Sequence, residues 1–278
     1  MRRVAFPVLV LLLLPACRSD RVALTYRLDQ GVRLEHRLTL EASVVRTLAG
    51  ETRREEIAAT FTAAQEVVGP SDQGGVEAAI SLVPEGLEVD GRPVDIGPAQ
   101  EFAVRLGEDG RVVAVEAAAD EGTEALDPVG LERILPRLRP VLPGRPVTPG
   151  DAWRSETEFT DEQGRFSLRT RSRLDQLGVT DGREAALVRT TYQSPVQRQE
   201  VFANAVAQVT GSDVGAQEAW FALDGYLVRA VGDSVGTYRV TFTPPEEEEG
   251  LAPVRGALRV RLHLEMQLLS ATGVPASA

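Results

Sequence analysis

The sequence predicts a mainly β protein: an antiparallel, strongly curved sheet or half-barrel built from two similar meander repeats, with one short helix in a Pro-rich crossover between them. Three observations lead there. Apolar and polar residues alternate with a period of two over long stretches, which is the pattern of half-buried strands. Gly- and Asp-rich turns separate those stretches. Five prolines from Pro136 to Pro149 interrupt the pattern near the middle of the chain. Two successive β-sandwiches satisfy the same observations and stay open as an alternative.

Val32–Val44 is the clearest strand. Its even positions read Val32, Leu34, His36, Leu38, Leu40, Ala42 and Val44, while Arg33, Glu35, Arg37, Thr39 and Glu41 take odd ones. Ile57–Val68 follows, with Ala and Thr on both faces and Phe61 as its only bulky side chain. Val76–Val83 alternates Val76, Ala78, Ile80 and Leu82 against Glu77 and Ser81. Phe102–Leu106 and Arg111–Val115 flank Gly107-Glu108-Asp109-Gly110, a hairpin signal. Asp127-Pro128 ends the pattern. Asp is a preferred N-cap and Pro a preferred first helical residue, so a short helix is expected from Pro128 towards Leu135. Pro136, Pro140, Pro143, Pro146 and Pro149 rule out its continuation.

The second half echoes the first. Trp153–Phe159 and Phe166–Leu174 read as strands around a turn at Asp161–Gly164. Glu184-Ala185-Ala186-Leu187 resembles Glu77-Ala78-Ala79-Ile80, and Leu223–Val228 carries Asp224-Gly225 as the earlier hairpin carries Asp109-Gly110. Tyr238–Thr243 and Leu258–Leu268 close the pattern around a loop holding Pro244-Pro245 and Glu246–Glu249. That makes eleven or twelve strands, with the Pro128–Pro149 segment crossing the sheet or plugging one mouth.

The N-terminus carries a different signal. Arg2 and Arg3 lead into an apolar run from Val4 to Leu14, followed by Pro15-Ala16-Cys17, the layout of a secretory leader. The run is too short for a membrane-spanning helix of about 20 residues. Cys17, the sole cysteine, directly follows a small residue, and this resembles the bacterial lipobox, in which that cysteine is acylated and becomes the new N-terminus. The resemblance implies a lipid anchor on Cys17. Because Arg18 follows it rather than Asp, the sorting rule of Gram-negative lipoproteins implies the outer membrane if the organism has two membranes. Only Arg18–Arg21 separate the anchor from the first patterned segment, a reach of roughly 14 Å. The expected organisation is a signal peptide over 1–16, lipidated cysteine and tether over 17–21, and a first meander half over 22–126. The helix and crossover then occupy 127–150, the second half 151–270 and a disordered tail 271–278.

Composition narrows the function. Hydrophobic residues at 43% and charged residues at 26% suit a globular body. The net charge of −11, which becomes −13 once Arg2 and Arg3 leave with the leader, argues against nucleic acid. It also argues against lying flat on an anionic membrane. With one cysteine there is no internal disulfide. No cofactor or metal is expected, and no catalytic residue is assigned, because HExxH, CxxC, GxSxG and P-loop spacings are missing.

The candidate ligand-binding residues are His36, on the apolar side of its strand, and Trp153, in Gly150-Asp151-Ala152-Trp153. Both also have structural readings: His36 as a hydrogen-bonded core histidine, Trp153 as an anchor for the crossover with Asp151 capping the turn. His263 falls with Arg259, Arg261 and Glu265 on a solvated face. Arg169, Arg171 and Arg173 share one face and read as a stripe paired with neighbouring acids, or as a contact for lipid phosphates. The apolar faces are built largely of Ala, Val, Ser and Thr, as in Ala58–Ala64 and Ala203–Ala207. Small side chains on a curved sheet leave room for an apolar cavity. On a closed core they pack tightly instead.

Taken together, the lipobox, the repeated meander, the Pro-rich crossover before Gly150-Asp151-Ala152-Trp153 and the Asp-Gly hairpins resemble a group of bacterial envelope lipoproteins. Some of these are similar in outline to half-barrel carriers that shield acyl chains. The resemblance implies a membrane-anchored, non-enzymatic binding module for an apolar ligand or lipidated partner. A structural or protein-interaction lipoprotein of the envelope is the alternative. Neither reading fixes an oligomeric state.

Overall fold

The computed structural model describes residues 21–95, 98–117, 134, 137–161, 164–202, 205–243 and 253–273. Twelve strands run through them: β1 (Arg33–Leu48), β2 (Glu51–Pro70), β3 (Val76–Val89), β4 (Arg92–Pro93), β5 (Gln100–Leu106), β6 (Val112–Ala117), β7 (Ala152–Asp161), β8 (Gly164–Thr180), β9 (Arg183–Phe202), β10 (Ala205–Ala222), β11 (Leu227–Thr243) and β12 (Val254–Thr272). All belong to one sheet, so the two-sandwich alternative does not hold. The sheet curls further than a half-barrel. β12 pairs with β1 along its whole length, and β2 pairs with both β1 and β3.

Apart from β1–β12 and β3–β5, neighbours in the sheet are neighbours in sequence, as in a meander, and every hairpin is antiparallel. Three turns show why the chain reverses where it does. Ala49-Gly50, Asp90-Gly91 and Asp181-Gly182 each place two consecutive residues at positive φ. That geometry matches the right-handed twist of the flanking strands.

Eleven strands form the ring, with the two-residue β4 appended to β3. An odd number of strands cannot alternate direction all the way round, so one neighbouring pair must run parallel. That pair is β6 and β7, which meet only at Ala114 and Thr160 and leave the barrel with one unsealed seam. Parallel neighbours cannot be joined by a hairpin, so the chain must travel back along the barrel between them. The described residues of this return segment pack against the inner wall. Ile134 and Leu138 belong to the same buried cluster as Leu38, Leu40, Phe61, Leu82 and Leu106 of the inner wall. Of the helix expected from Pro128 towards Leu135, only Ile134 is among the described residues; it is helical, as are Arg137 and Leu138.

The far end of this segment and the N-terminal segment cover one end of the barrel together. Val22 and Val147 exchange both backbone hydrogen bonds at 2.9 Å, and the Arg27 N–H donates to the Gly225 carbonyl at 2.7 Å. Beneath them Leu24, Tyr26, Leu142, Val147, Leu174, Val188 and Phe221 pack as a second cluster. The Tyr26 ring stands edge-on to Phe221 at 4.8 Å.

Candidate functional site

The inner wall of the barrel is two-sided. On β12, β1, β2, β3, β5 and β6 it is largely apolar, from Val260, Leu262 and Leu264 round to Phe102 and Val104, with His36 and Gln65 as buried polar residues. On β7 to β11 most of the buried polar side chains gather, Thr157, Thr170, Ser172, Thr190, Ser194, Asp213, Gln217 and Ser234, among apolar ones such as Leu168, Val196 and Ala230. The crossover matches this division. Ile134 and Leu138, four residues apart on one helical face, lie against the apolar wall. Arg137, between them in sequence, points to the polar one.

There Arg137 Nη2 donates to Asp213 Oδ2 at 2.6 Å, and its guanidinium carbon lies 5.8 Å from the centroid of Tyr192. The Tyr238 hydroxyl donates to the other oxygen of Asp213. The side chains of the ion pair are 10% and 5% exposed, so both charges are effectively out of water. Burial works against the charge on Arg137, but Asp213 and the phenols of Tyr192 and Tyr238 outweigh it and hold the guanidinium above its usual range. Glycines make the space. A Cβ on Gly215 would come within 2.5 Å of Tyr192 Cζ, and one on Gly236 would strike the Tyr238 hydroxyl. Gly211, Asp213 and Gly215 alternate along β10, so the acid sits between two gaps that receive the rings.

An irregular backbone inside a barrel must find partners for its polar groups. Three side chains supply them. Gln217 Nε2 donates to the Leu138 carbonyl at 2.7 Å, the Tyr26 hydroxyl to Pro140 at 2.8 Å, and Trp153 Nε1 to Val141 at 2.7 Å. Trp153 is therefore half-buried as a fastening for the crossover. Asp151 closes the preceding turn: the Thr148 N–H donates to its carboxylate at 3.0 Å and holds it below the usual carboxylate range.

His36 lies inside the barrel near its covered end. Its Nε2 is 3.0 Å from the Leu227 carbonyl. A carbonyl only accepts, so Nε2 carries the proton and Nδ1 is bare. Burial, with the nearby charge of Arg139, lowers the imidazole pKa to about 4. Arg139 stacks on the opposite side of the crossover end, 4.9 Å from the centroid of Tyr26.

The chain matches no protein-family model, and no curated protein matches it in sequence.

The outer wall carries a groove of about 520 Å³, crossing β10, β11, β12, β1, β2 and the β3–β4 turn. Its floor is a cross-strand row, Asp233, His263, Glu41, Ala58 and Glu88, set by the registers of five neighbouring strands. His263 Nδ1 pairs with Asp233 at 2.8 Å, and that hydrogen bond raises its pKa. Glu41 and Glu88 have no ion pair among the described residues.

The structure thus places His36 and Trp153 at the covered end of the barrel but in separate contacts, with Leu227 and Val141. Cys17 and the run Glu246–Glu249 lie outside the described residues. The arginine stripe faces out, with Arg169 paired to Glu156 at 2.8 Å and Arg173 to Asp175 at 3.9 Å. Sequence reading missed Arg137, Asp213, Tyr192 and Tyr238. The available signal was Gly211-Ser212-Asp213-Val214-Gly215, in which small residues flank a charged one at a period of two.

Proposed function

We propose that this protein is an envelope lipoprotein, held to the membrane by lipid on Cys17, whose barrel is a non-enzymatic binding module for an apolar ligand or lipidated partner. One observation carries the reading. Ile134 and Leu138 of the crossover pack into the apolar cluster of the inner wall, and the barrel is almost unpaired along one seam, between β6 and β7. An acyl chain laid along this wall in place of Ile134 and Leu138 would bury the same surface. Each CH₂ removed from water would contribute about 0.8 kcal/mol.

The lipobox supports the anchor. Stable attachment takes two acyl chains or one chain with a second signal, which a diacylated cysteine supplies without any help from an acidic body. Changing Cys17 to Ser should move the protein from the membrane fraction to the soluble one; retention in the membrane fraction would refute the lipoprotein assignment. The soluble variant, purified without detergent, should carry extractable lipid or bind a fluorescent fatty acid. Failure on both counts would refute the binding module.

The second reading is a protein-interaction lipoprotein that docks an envelope partner in the outer groove. The unpaired carboxylates of Glu41 and Glu88 favour it. Substituting both by Gln should then abolish in-cell crosslinking to the partner while leaving lipid binding intact.

A further inference from the structure

Of the arginines at or near the inside of the barrel, two that lie on or beside the crossover have a carboxylate of their own. Arg111 holds Asp109, with Nε 2.8 Å from Oδ2, and Arg137 holds Asp213. Arg139 has none among the described residues. Its Nη1 is buried without a hydrogen-bond partner, and only the face of the Tyr26 ring lies against its guanidinium. Tyr26 cannot help further, because its hydroxyl already donates to Pro140. Asp109, whose charge acts on Tyr26, is engaged by Arg111 through both oxygens.

A buried guanidinium without a counter-ion is costly. A cation–π contact returns only part of the penalty for an ion taken out of water. Burial accordingly lowers the pKa of Arg139. A residue that served only to fasten the crossover could be Met or Leu at no such cost. Arg139 is nonetheless only half-buried, so part of it stays accessible beside its orphaned nitrogen.

We infer that Arg139 is the receptor for an anionic head group, a carboxylate or phosphate on the apolar ligand that the barrel is proposed to hold. This rests on the binding-module reading and names the class of ligand: an acidic amphiphile rather than a neutral lipid. The geometry suits it. The fork of a guanidinium takes a carboxylate or phosphate through two parallel hydrogen bonds. Arg139 follows Leu138 directly, so a head group held there leads its chain into the apolar cluster that contains Leu138. His36 reports on the event, since the charge of Arg139 is one of the causes that hold its pKa at about 4.

The test uses the full chain carrying Cys17→Ser. Oleate should bind at least tenfold more tightly than oleyl alcohol at neutral pH, and Arg139→Gln should abolish that preference while preserving alcohol binding. A parallel arm with oleyl phosphate separates a carboxylate receptor from a phosphate receptor. Independently, acetate or inorganic phosphate should raise the His36 pKa, read from its imidazole proton shifts, in the Arg139 protein and not in Arg139→Gln. Equal binding of oleate and alcohol, with His36 unmoved by either small anion, overturns the head-group site and leaves the binding module standing. Small anions that move His36, with no lipid bound, keep the head-group site and remove the binding module. No response to lipids or anions removes both.

Discussion

The carboxylate of Asp213 and the guanidinium of Arg137 meet at 2.6 Å within the barrel, one fixed on β10 and the other carried by the crossover. They are the strongest link between the segment that fills the barrel and the wall around it. Breaking a buried ion pair from one side leaves the other charge stranded. Asp213→Asn should therefore destabilise the protein by about 3–5 kcal/mol. Replacing both partners, Arg137→Met with Asp213→Leu, should recover most of that loss. Urea denaturation of the single and double variants measures it.

His36 makes stability depend on pH. In the unfolded chain its imidazole takes up a proton near 6.5, but in the folded protein only near 4. Between those values the unfolded state alone binds the proton, so stability declines as the pH falls from 6.5 towards 4. The total loss is on the order of 3 kcal/mol. His36→Gln should flatten this part of the profile. His263 works in the opposite sense: its pKa is raised, chiefly by Asp233, so its contribution is present in acid and fades as the pH rises through the folded value. Because His263 sits in an open groove, its effect should be the smaller of the two.

Gly215→Ala tests the space made for Tyr192. The added Cβ would lie 2.6 Å from the Asp233 carbonyl as well as against the ring, and the carbonyl belongs to a paired strand that cannot withdraw. A loss of about 1–3 kcal/mol is expected from thermal unfolding, with no change in the far-ultraviolet strand signal.

Ala49→Gly should move stability the other way. Ala49 sits at a φ of 50° in the turn between β1 and β2, where a side chain strains against its own backbone. Removing that strain should stabilise the protein by about 1 kcal/mol. The thermal midpoint reads the gain directly.

The strands were legible because one face of each is buried and the other wet. Val32–Val44 and Leu258–Leu268 show this alternation; the second lies inside β12, and the first falls on β1 apart from Val32, which precedes it. Their pairing with each other was not legible. It joins segments more than two hundred residues apart, and a period of two reports which face is buried without naming the partner strand. β10 was obscure for another reason. Gly211, Asp213 and Gly215 belong to turns by composition, and only the rings of Tyr192 and Tyr238 make them strand residues. The prolines around Arg137 and Arg139 did mark a crossover. That the chain must cross back follows from the odd number of strands, which becomes countable only once the ring is known.

The account turns on whether the crossover gives way to a ligand. Hydrogen exchange over residues 137–142, measured in the Cys17→Ser chain with and without saturating oleate, asks this directly. Displacement predicts faster exchange in that segment when oleate is bound, as the Leu142 N–H loses the Asp109 carbonyl and the carbonyls of Leu138, Pro140 and Val141 lose Gln217, Tyr26 and Trp153. Oleate that binds while leaving those amides as protected as before would contradict it.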